Sequence, residues 1–217
     1  MDALAYPLRR HTDVSVLRLR SNVVPGHEYW RSGGILLLDQ ARIQAWQQLL
    51  FVQCGDGWIV EEAWRRARRG YACGVDTATD LVARATALRG VAGEIEFKTW
   101  DGSRLPCPSA FYQGVFATLI LEWCLNPAEV IGEIHRVLQP GGYLHLLERD
   151  SSVRCLPDRV ASLAGMLRAA GFHEAGEVTR CDLALSARER VATVILHPRA
   201  APSAGHRAQA PDRCGVA

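Results

Sequence analysis

The reading turns on Leu49-Leu50-Phe51-Val52-Gln53-Cys54-Gly55-Asp56-Gly57, on the segment 58–69 behind it, and on Tyr71-Ala72-Cys73-Gly74-Val75-Asp76. The first run is apolar, too short for a helix, and broken by a turn with two glycines, which is the pattern of a buried strand. In 58–69 the apolar residues recur every three or four positions (Val60, Ala63, Trp64, Ala67), with Arg65, Arg66, Arg68 and Arg69 largely opposite them, the pattern of an amphipathic helix. Gly70 ends it, and a second apolar run closes on Asp76. Strand, helix and strand in that order make parallel strands joined by a crossover.

The alternation continues outward from this unit. A helix is expected over 79–88, a strand over 94–98 ending at Trp100-Asp101-Gly102, and a strand over 114–119. A helix over 127–138 should stop at Gln139-Pro140-Gly141-Gly142, because proline cannot continue it and the glycines release the chain. A strand over 143–147, a helix over 158–170 and two strands, 174–180 and 190–197, complete the pattern. With no helix between them, the last two should pair antiparallel at the sheet edge. Upstream, 37–48 reads as a helix, and 1–36 as an irregular N-terminal arm with a candidate strand over 14–19. Residues 200–217 lack any periodic apolar face and read as a disordered tail, leaving 37–199 as the folded domain.

Composition agrees with one folded domain. The 217 residues are 48% hydrophobic and 22% charged, which excludes a disordered or fibrous chain. Lys and Arg number 25 against 23 Asp and Glu, a formal charge of +2, too small for a protein that coats nucleic acid or anionic lipid. The arginines of 65–69 read as a solvated helix face. No apolar run approaches the roughly 20 residues that cross a bilayer, and the first residues lack a secretory layout, so a cytoplasmic protein with no membrane partner is expected. Seven cysteines lie scattered, the nearest pair being Cys107 and Cys124. They suggest buried thiols, with neither a metal site nor a disulfide framework.

In an open α/β sheet the ligand sits beyond the carboxyl ends of the strands. Gly55 and Gly57 allow backbone to approach a ligand closely, and Asp76, at the end of the second strand, is placed to accept hydrogen bonds from ribose hydroxyls. Gly57 is followed by Trp58, Ile59 and Val60, so the third glycine of the dinucleotide fingerprint is absent and a nicotinamide cofactor is disfavoured.

Six pieces, in order along the chain, carry a resemblance. Residues 49–57 resemble the "LDVGCGxG" motif, and Gly74-Val75-Asp76-Thr77 its ribose-binding strand end. Trp100-Asp101-Gly102 with Leu105-Pro106 looks like the "GDAxxLP" segment, and 112–123 like the "FDxVxxxxxLxxx" strand. Glu133-Ile134-His135-Arg136-Val137-Leu138-Gln139-Pro140-Gly141-Gly142 resembles "EixRvLkPGG", and Met166-Leu167-Arg168-Ala169-Ala170-Gly171-Phe172 resembles "LleaAGF". Together these resemble the class I S-adenosylmethionine-dependent methyltransferases, the type 11-like small-molecule group, over about 35–198. The resemblance implies a Rossmann-like three-layer α/β sandwich, with a seven-stranded, mostly parallel sheet carrying one antiparallel strand near an edge.

It also implies S-adenosylmethionine as cofactor and a small-molecule acceptor. Gln53, Cys54, Gly55, Asp56 and Gly57 would hold the methionine end, Asp76 and Thr77 the ribose, Asp101 and Gly102 the adenine, and carbonyls near Ala117 and Thr118 the ammonium. Methyl transfer needs mainly alignment, and a base can assist an oxygen or nitrogen acceptor. Glu122 and His27 are the candidate bases, and Tyr29, Trp30 and Arg149 the candidate substrate contacts, with Tyr29-Trp30 and the arm as a lid. No metal is expected.

Departures from the family pattern point the other way. Phe51 stands for an acidic residue, Gln113 for an aspartate, Trp100 for a glycine, and Gln53 for the first glycine of the loop, so either the loop differs in conformation or Gln53 carries the strain of a positive φ. These support an alternative, a non-catalytic protein of the same fold that acts as a binding partner or regulator. A nucleic-acid methyltransferase is disfavoured by the charge and by Leu119-Ile120-Leu121-Glu122 in place of an Asn-Pro-Pro-aromatic run. The oligomeric state has no signal here.

Overall fold

Successive side chains of a strand point to opposite faces. Along β2 (Gln48–Val52) this sends Leu49 and Phe51 into one buried cluster and Leu50 and Val52 into another. The computed structural model describes residues 9–10, 27–120, 124–149, 158–173, 179–184, 190–196 and 199–200. In chain order its elements are β1 (Arg9–Arg10), α1 (His27–Gln40), β2, α2 (Trp58–Arg66), β3 (Tyr71–Asp76), α3 (Thr79–Arg89), β4 (Ile95–Thr99), β5 (Tyr112–Thr118) and α4 (Pro127–Val137). They continue through β6 (Leu138–Arg149), α5 (Asp158–Ala169), β7 (Phe172–His173), β8 (Thr179–Ala184), β9 (Arg190–Leu196) and β10 (Arg199–Ala200).

Five parallel strands in the order β4-β3-β2-β5-β6 form the centre of the sheet. On one face α4 and α5 bury Val130, Ile131, Ile134, Leu163 and Leu167 against Leu50, Val52, Val115 and Leu146. On the other, α1 and α2 bury Leu37, Val60 and Ala63 against Leu49, Phe51, Phe116 and Leu147. The result is a Rossmann-like α/β fold in which β2, β3 and β5 are largely buried, which explains why they read as apolar runs, whereas the edge strand β4 is mostly half-buried and alternates apolar and charged residues.

The sheet departs from the expected seven strands with one antiparallel. Among the described residues it has ten strands, and beyond the five parallel ones the pairings are antiparallel: β9 on β6, β8 on β9, and the two-residue β1, β7 and β10 as short additions. Antiparallel strands need no crossover helix, so brief chain segments join the sheet without the long periodic signal by which parallel strands are recognised.

The first helix also lies elsewhere. A helix was expected over 37–48, yet α1 spans His27–Gln40, and the chain then turns through Trp46, which is left-handed (φ 66°) and 71% exposed. Gly33 and Gly34 fall in the stretch expected to be an irregular arm but are buried inside the helix. A Cβ on Gly34 would lie 2.8 Å from Ile59 Cδ1, so the glycine lets α1 approach α2 closely. α2 ends early because Arg68 and Arg69 take left-handed backbone. β6, expected over 143–147, runs from Leu138 to Arg149 straight out of α4. The expected strand over 14–19 lies outside the described residues, as does the expected tail over 200–217 except for Ala200, which pairs with Phe172 in β10.

Among the described residues no helix is long and apolar enough to cross a membrane, and no cluster of three metal-ligating side chains occurs.

Candidate functional site

Chain reversal at the end of β2 builds one side of the site. Gln53 (φ 62°), Gly55 (φ 56°) and Gly57 (φ 76°) are all left-handed, so of the two readings left open for Gln53, strain is the one observed. For a non-glycine that conformation costs about 1–2 kcal/mol. Gly57 begins α2, and a Cβ there would lie 2.5 Å from Phe97 Cε1; its lack of a side chain serves helix–strand packing. Gly55 differs, since a Cβ there would meet nothing within 4 Å. The space beside it is open to a ligand.

Asp76 ties this loop to the next strand. Its Oδ2 accepts from the Gly55 N–H at 2.8 Å and its Oδ1 from the Ala78 N–H at 3.0 Å, while the Cys54 N–H donates to the Val75 carbonyl at 3.1 Å. The carboxylate is 6% exposed, so both oxygens are partly satisfied by backbone and keep lone pairs for a further donor. The Thr118 hydroxyl, at the end of β5, donates to the Gln53 carbonyl at 3.4 Å. Three neighbouring strands, β3, β2 and β5, are thereby joined at their carboxyl ends.

A cavity of about 460 Å³ opens there, within the range of cofactor sites. Gln53, Cys54, Gly55, Asp56, Asp76, Thr77 and Thr118 border it. Gly57 and Ala117 lie behind it, Ala117 being buried in β5 opposite Val52. Gly102 (φ 89°) lies beside Thr77 of the wall: a Cβ at Gly102 would stand 3.9 Å from the Thr77 Cγ2.

Asp101 stands outside the cavity and is exposed. Its Oδ1 accepts from the Ser103 N–H (2.9 Å), the Ser103 hydroxyl (3.0 Å) and the Arg104 N–H (3.1 Å), bonds that hold the carboxyl below its usual range. Asp56 is likewise committed: it accepts from the Trp58 N–H at 3.1 Å and pairs with Arg89 at 3.6 Å. Burial, with the Asp76 charge, pushes the Cys54 thiol far up, so Cys54 is a neutral wall and no nucleophile.

Other wall residues gave no signal in the sequence. Arg31 of α1 borders the cavity with its guanidinium 5.0 Å from the centre of the Trp58 ring, and Ile59 and Leu81 supply apolar surface. Trp58 was adjacent to the glycine turn, but Arg31 reaches the site only through the packing of α1 on α2, which no local pattern shows. His27, Tyr29 and Trp30 occupy the first turn of the same helix, and Arg149 the end of β6; the described structure stops at their backbone. Glu122 lies outside the described residues. His145 is buried, stacked on Phe116 with centroids 5.3 Å apart, and is not among the residues that border the cavity.

Residues 50–146 match a family described as methyltransferase domain. Over 70 residues, 32% of this chain and 26% of the relative, the sequence is 41% identical to a malonyl-[acyl-carrier protein] O-methyltransferase from Marinomonas sp.. Over 126 residues, 56% of this chain and 49% of the relative, it is 29% identical to the ubiquinone/menaquinone biosynthesis C-methyltransferase UbiE of Roseobacter denitrificans. The chain spans from about a fifth to half the length of the curated relatives it matches. A solved S-adenosylmethionine-dependent methyltransferase from Mesorhizobium loti superposes with a TM-score of 0.62 and 18% identity, covering 80% of this chain and 98% of the other. The glycine turn, Asp76 and, apart from Arg31, the residues that border the cavity fall inside the matched stretch. Residues 50–146 of this chain thus match a methyltransferase-domain family and are carried on the fold of solved S-adenosylmethionine-dependent methyltransferases, whose cofactor is S-adenosylmethionine.

Proposed function

We propose that the chain is an active S-adenosylmethionine-dependent methyltransferase with a small-molecule acceptor, holding its cofactor in the cavity at the ends of β2, β3 and β5. The observation that carries this reading is Asp76. Buried at the cavity wall, fixed by two backbone N–H groups and beside the open space at Gly55, it presents its remaining lone pairs where a ribose diol would donate. Arg31, unforeseen in the sequence, offers the cavity a cation suited to the cofactor's carboxylate. Thr77 and Gly102 bring the Asp101 turn next to the wall, where backbone would serve the adenine edge in place of the occupied Asp101 oxygen. Gln53 and Thr118 would border the methionine end.

When bound, the cofactor supplies a methyl group on a cationic sulfur that leaves as a neutral thioether. The chain's own part is then alignment and exclusion of water. The apolar side chains of Trp58, Ile59 and Leu81 dry the cavity, and α1, which carries Arg31 to the wall, places His27, Tyr29 and Trp30 on the helix that would serve as lid. Tyr29, Trp30 and Arg149 are proposed acceptor contacts, and Glu122 or His27 the base for an acceptor that loses a proton. The relatives' names, one specifying an acyl-carrier protein and one a quinone pathway, make a carrier-bound acceptor the main competitor to a free small molecule.

A second reading is favoured by Gln53 and Asp101, one strained and one already hydrogen-bonded within its own turn: a methyltransferase fold kept as a binding partner. Titration calorimetry with S-adenosylmethionine and S-adenosylhomocysteine, on protein shown by mass spectrometry to hold no nucleoside, separates the two. Saturable binding of both, weakened at least about tenfold by Asp76→Asn, is the expected result. No binding by folded, ligand-free protein would overturn the enzyme reading.

A further inference from the structure

Asp56 stands between two glycines, Gly55 and Gly57, in the turn that follows β2. Glycine imposes little on the backbone, so contacts with other parts of the fold must set where Asp56 lies. On the strand side these are the bond from the Gly55 N–H to Asp76 and that from the Thr118 hydroxyl to the Gln53 carbonyl. On the helix side they come from α3. A Cβ on Gly57 would stand 3.0 Å from the Ala85 Cβ, and four residues beyond Ala85, on the same helix face, Arg89 ends α3.

Arg89 grips the turn through three contacts. Its Nε donates to the Asp56 carbonyl at 3.0 Å and its Nη2 lies 3.6 Å from the Asp56 carboxylate, while its Nη1 donates to the Glu61 carboxylate at 2.6 Å. The Arg89 side chain is 19% exposed and that of Glu61 20%, so their attraction is screened less than that of an open surface pair. Glu61 lies in the first turn of α2, and its own N–H donates to the Gly57 carbonyl at 3.2 Å. One side chain thereby ties α3 both to the turn and to the helix that the turn begins. Asp56 passes the restraint on: its Oδ1 accepts from the Trp58 N–H at 3.1 Å, and the Trp58 ring lies 5.0 Å from the Arg31 guanidinium. Asp56, Trp58 and Arg31 border the cavity, whereas Arg89 is not among the residues that do.

The geometry points to Arg89 as a positioning residue, which acts through Asp56 to hold the turn 53–57 in the form that receives the amino-acid end of the cofactor. This rests on the cofactor reading above. Arg89 touches no ligand; it removes the freedom that the two glycines leave in the turn, so that binding does not have to order it. A lysine would not replace it, because one compact ammonium cannot serve a carbonyl and two carboxylates in the fixed directions that the guanidinium does.

The test compares the full chain with Arg89→Ala and with Arg66→Ala. Arg66 pairs with Asp39 at 2.7 Å and Glu62 at 3.0 Å, so its loss weakens α2 without touching the turn. Amide hydrogen exchange of ligand-free protein, read by mass spectrometry, should be at least about fivefold faster over 54–58 in Arg89→Ala and unchanged there in Arg66→Ala. Titration calorimetry should show S-adenosylhomocysteine bound at least about fivefold more weakly by Arg89→Ala, with Arg66→Ala like the wild type. Arg89→Lys is the second variant if Arg89→Ala does not fold, and should show both changes in smaller degree. Unchanged exchange over 54–58 in Arg89→Ala, or an equal rise in Arg66→Ala, would overturn the proposal. So would wild-type affinity in Arg89→Ala. Absence of binding by the wild type would instead overturn the cofactor reading and the ligand half of this proposal with it, and the exchange data would still decide whether Arg89 holds the turn.

Discussion

Gln53 and Gly55 stand two residues apart in the same left-handed backbone, and only one of them is a glycine. At Gly55 a side chain would enter the cavity, while at Gln53 the side chain is present and borders it. If the Gln53 side chain contributes nothing to folding, Gln53→Gly should raise stability by up to about 1 kcal/mol, the relief of left-handed strain less the entropy of glycine. The measurement is the urea midpoint at unchanged slope; a lower midpoint would show that the amide holds the loop. In contrast, Gly55→Val should bind S-adenosylhomocysteine at least about tenfold more weakly, since it adds both strain and bulk where the ligand would lie. Residues of this kind are legible in a sequence because glycine and aspartate are needed at fixed offsets from a strand end. Arg31 is not, since its place depends on how one helix lies upon another, and Asp101, although its motif was legible, spends its oxygen on its own turn.

Between β4 and β5 the chain has no regular structure over 101–111, and one ion pair organises it. Glu133 of α4 accepts from the Leu105 N–H at 3.0 Å, while Arg136, 2.7 Å from Glu133, donates to the carbonyls of Leu105 and Cys107 and to the Ser109 hydroxyl. The pair with Arg136, then the Leu105 N–H, hold the Glu133 carboxyl below its usual range. A carboxyl depressed in the folded state contributes stability above its unfolded pKa and loses it as pH falls through the lower, folded value. Glu133→Gln should therefore lower stability by about 1–2 kcal/mol at neutral pH, with the difference from wild type shrinking below about pH 4. Thermal denaturation across that range checks it, and a pH-independent difference would contradict the assignment. The "EixRvL" stretch showed this pair as a motif without its purpose. Parallel strands and their crossover helices were legible because each is long, apolar and periodic. α1 was misplaced because its first ten residues fall in the stretch read as an irregular arm, where Gly34 is in fact a close contact with α2, and the antiparallel edge was blurred because its added strands are as short as two residues.

At the scale of the whole molecule the cavity lies where separate parts of the chain converge: the loop after β2, the ends of β3 and β5, and α1 through Arg31. A ligand there binds only the folded arrangement, because no one segment contains the site. Mass action then makes binding a stability term of RT ln(1 + [L]/Kd), about 2.7 kcal/mol at a ligand concentration about 100 times Kd. For a domain of this size that corresponds to a rise in Tm of several degrees, on the order of 2–4 °C per kcal/mol. S-adenosylhomocysteine should produce this shift in the wild type and a much smaller one in Asp76→Asn, whose carboxylate both orders the Gly55 loop and faces the ligand. The arm adds a sharper distinction. If α1 closes over an acceptor seated beside the cofactor, removing residues 1–30 should spare most of the thermal shift, since Arg31 and the strand ends remain, but abolish turnover with any acceptor found by screening. Equal loss of both would mean that the first turn of α1 builds the cofactor site itself and that the lid reading is wrong.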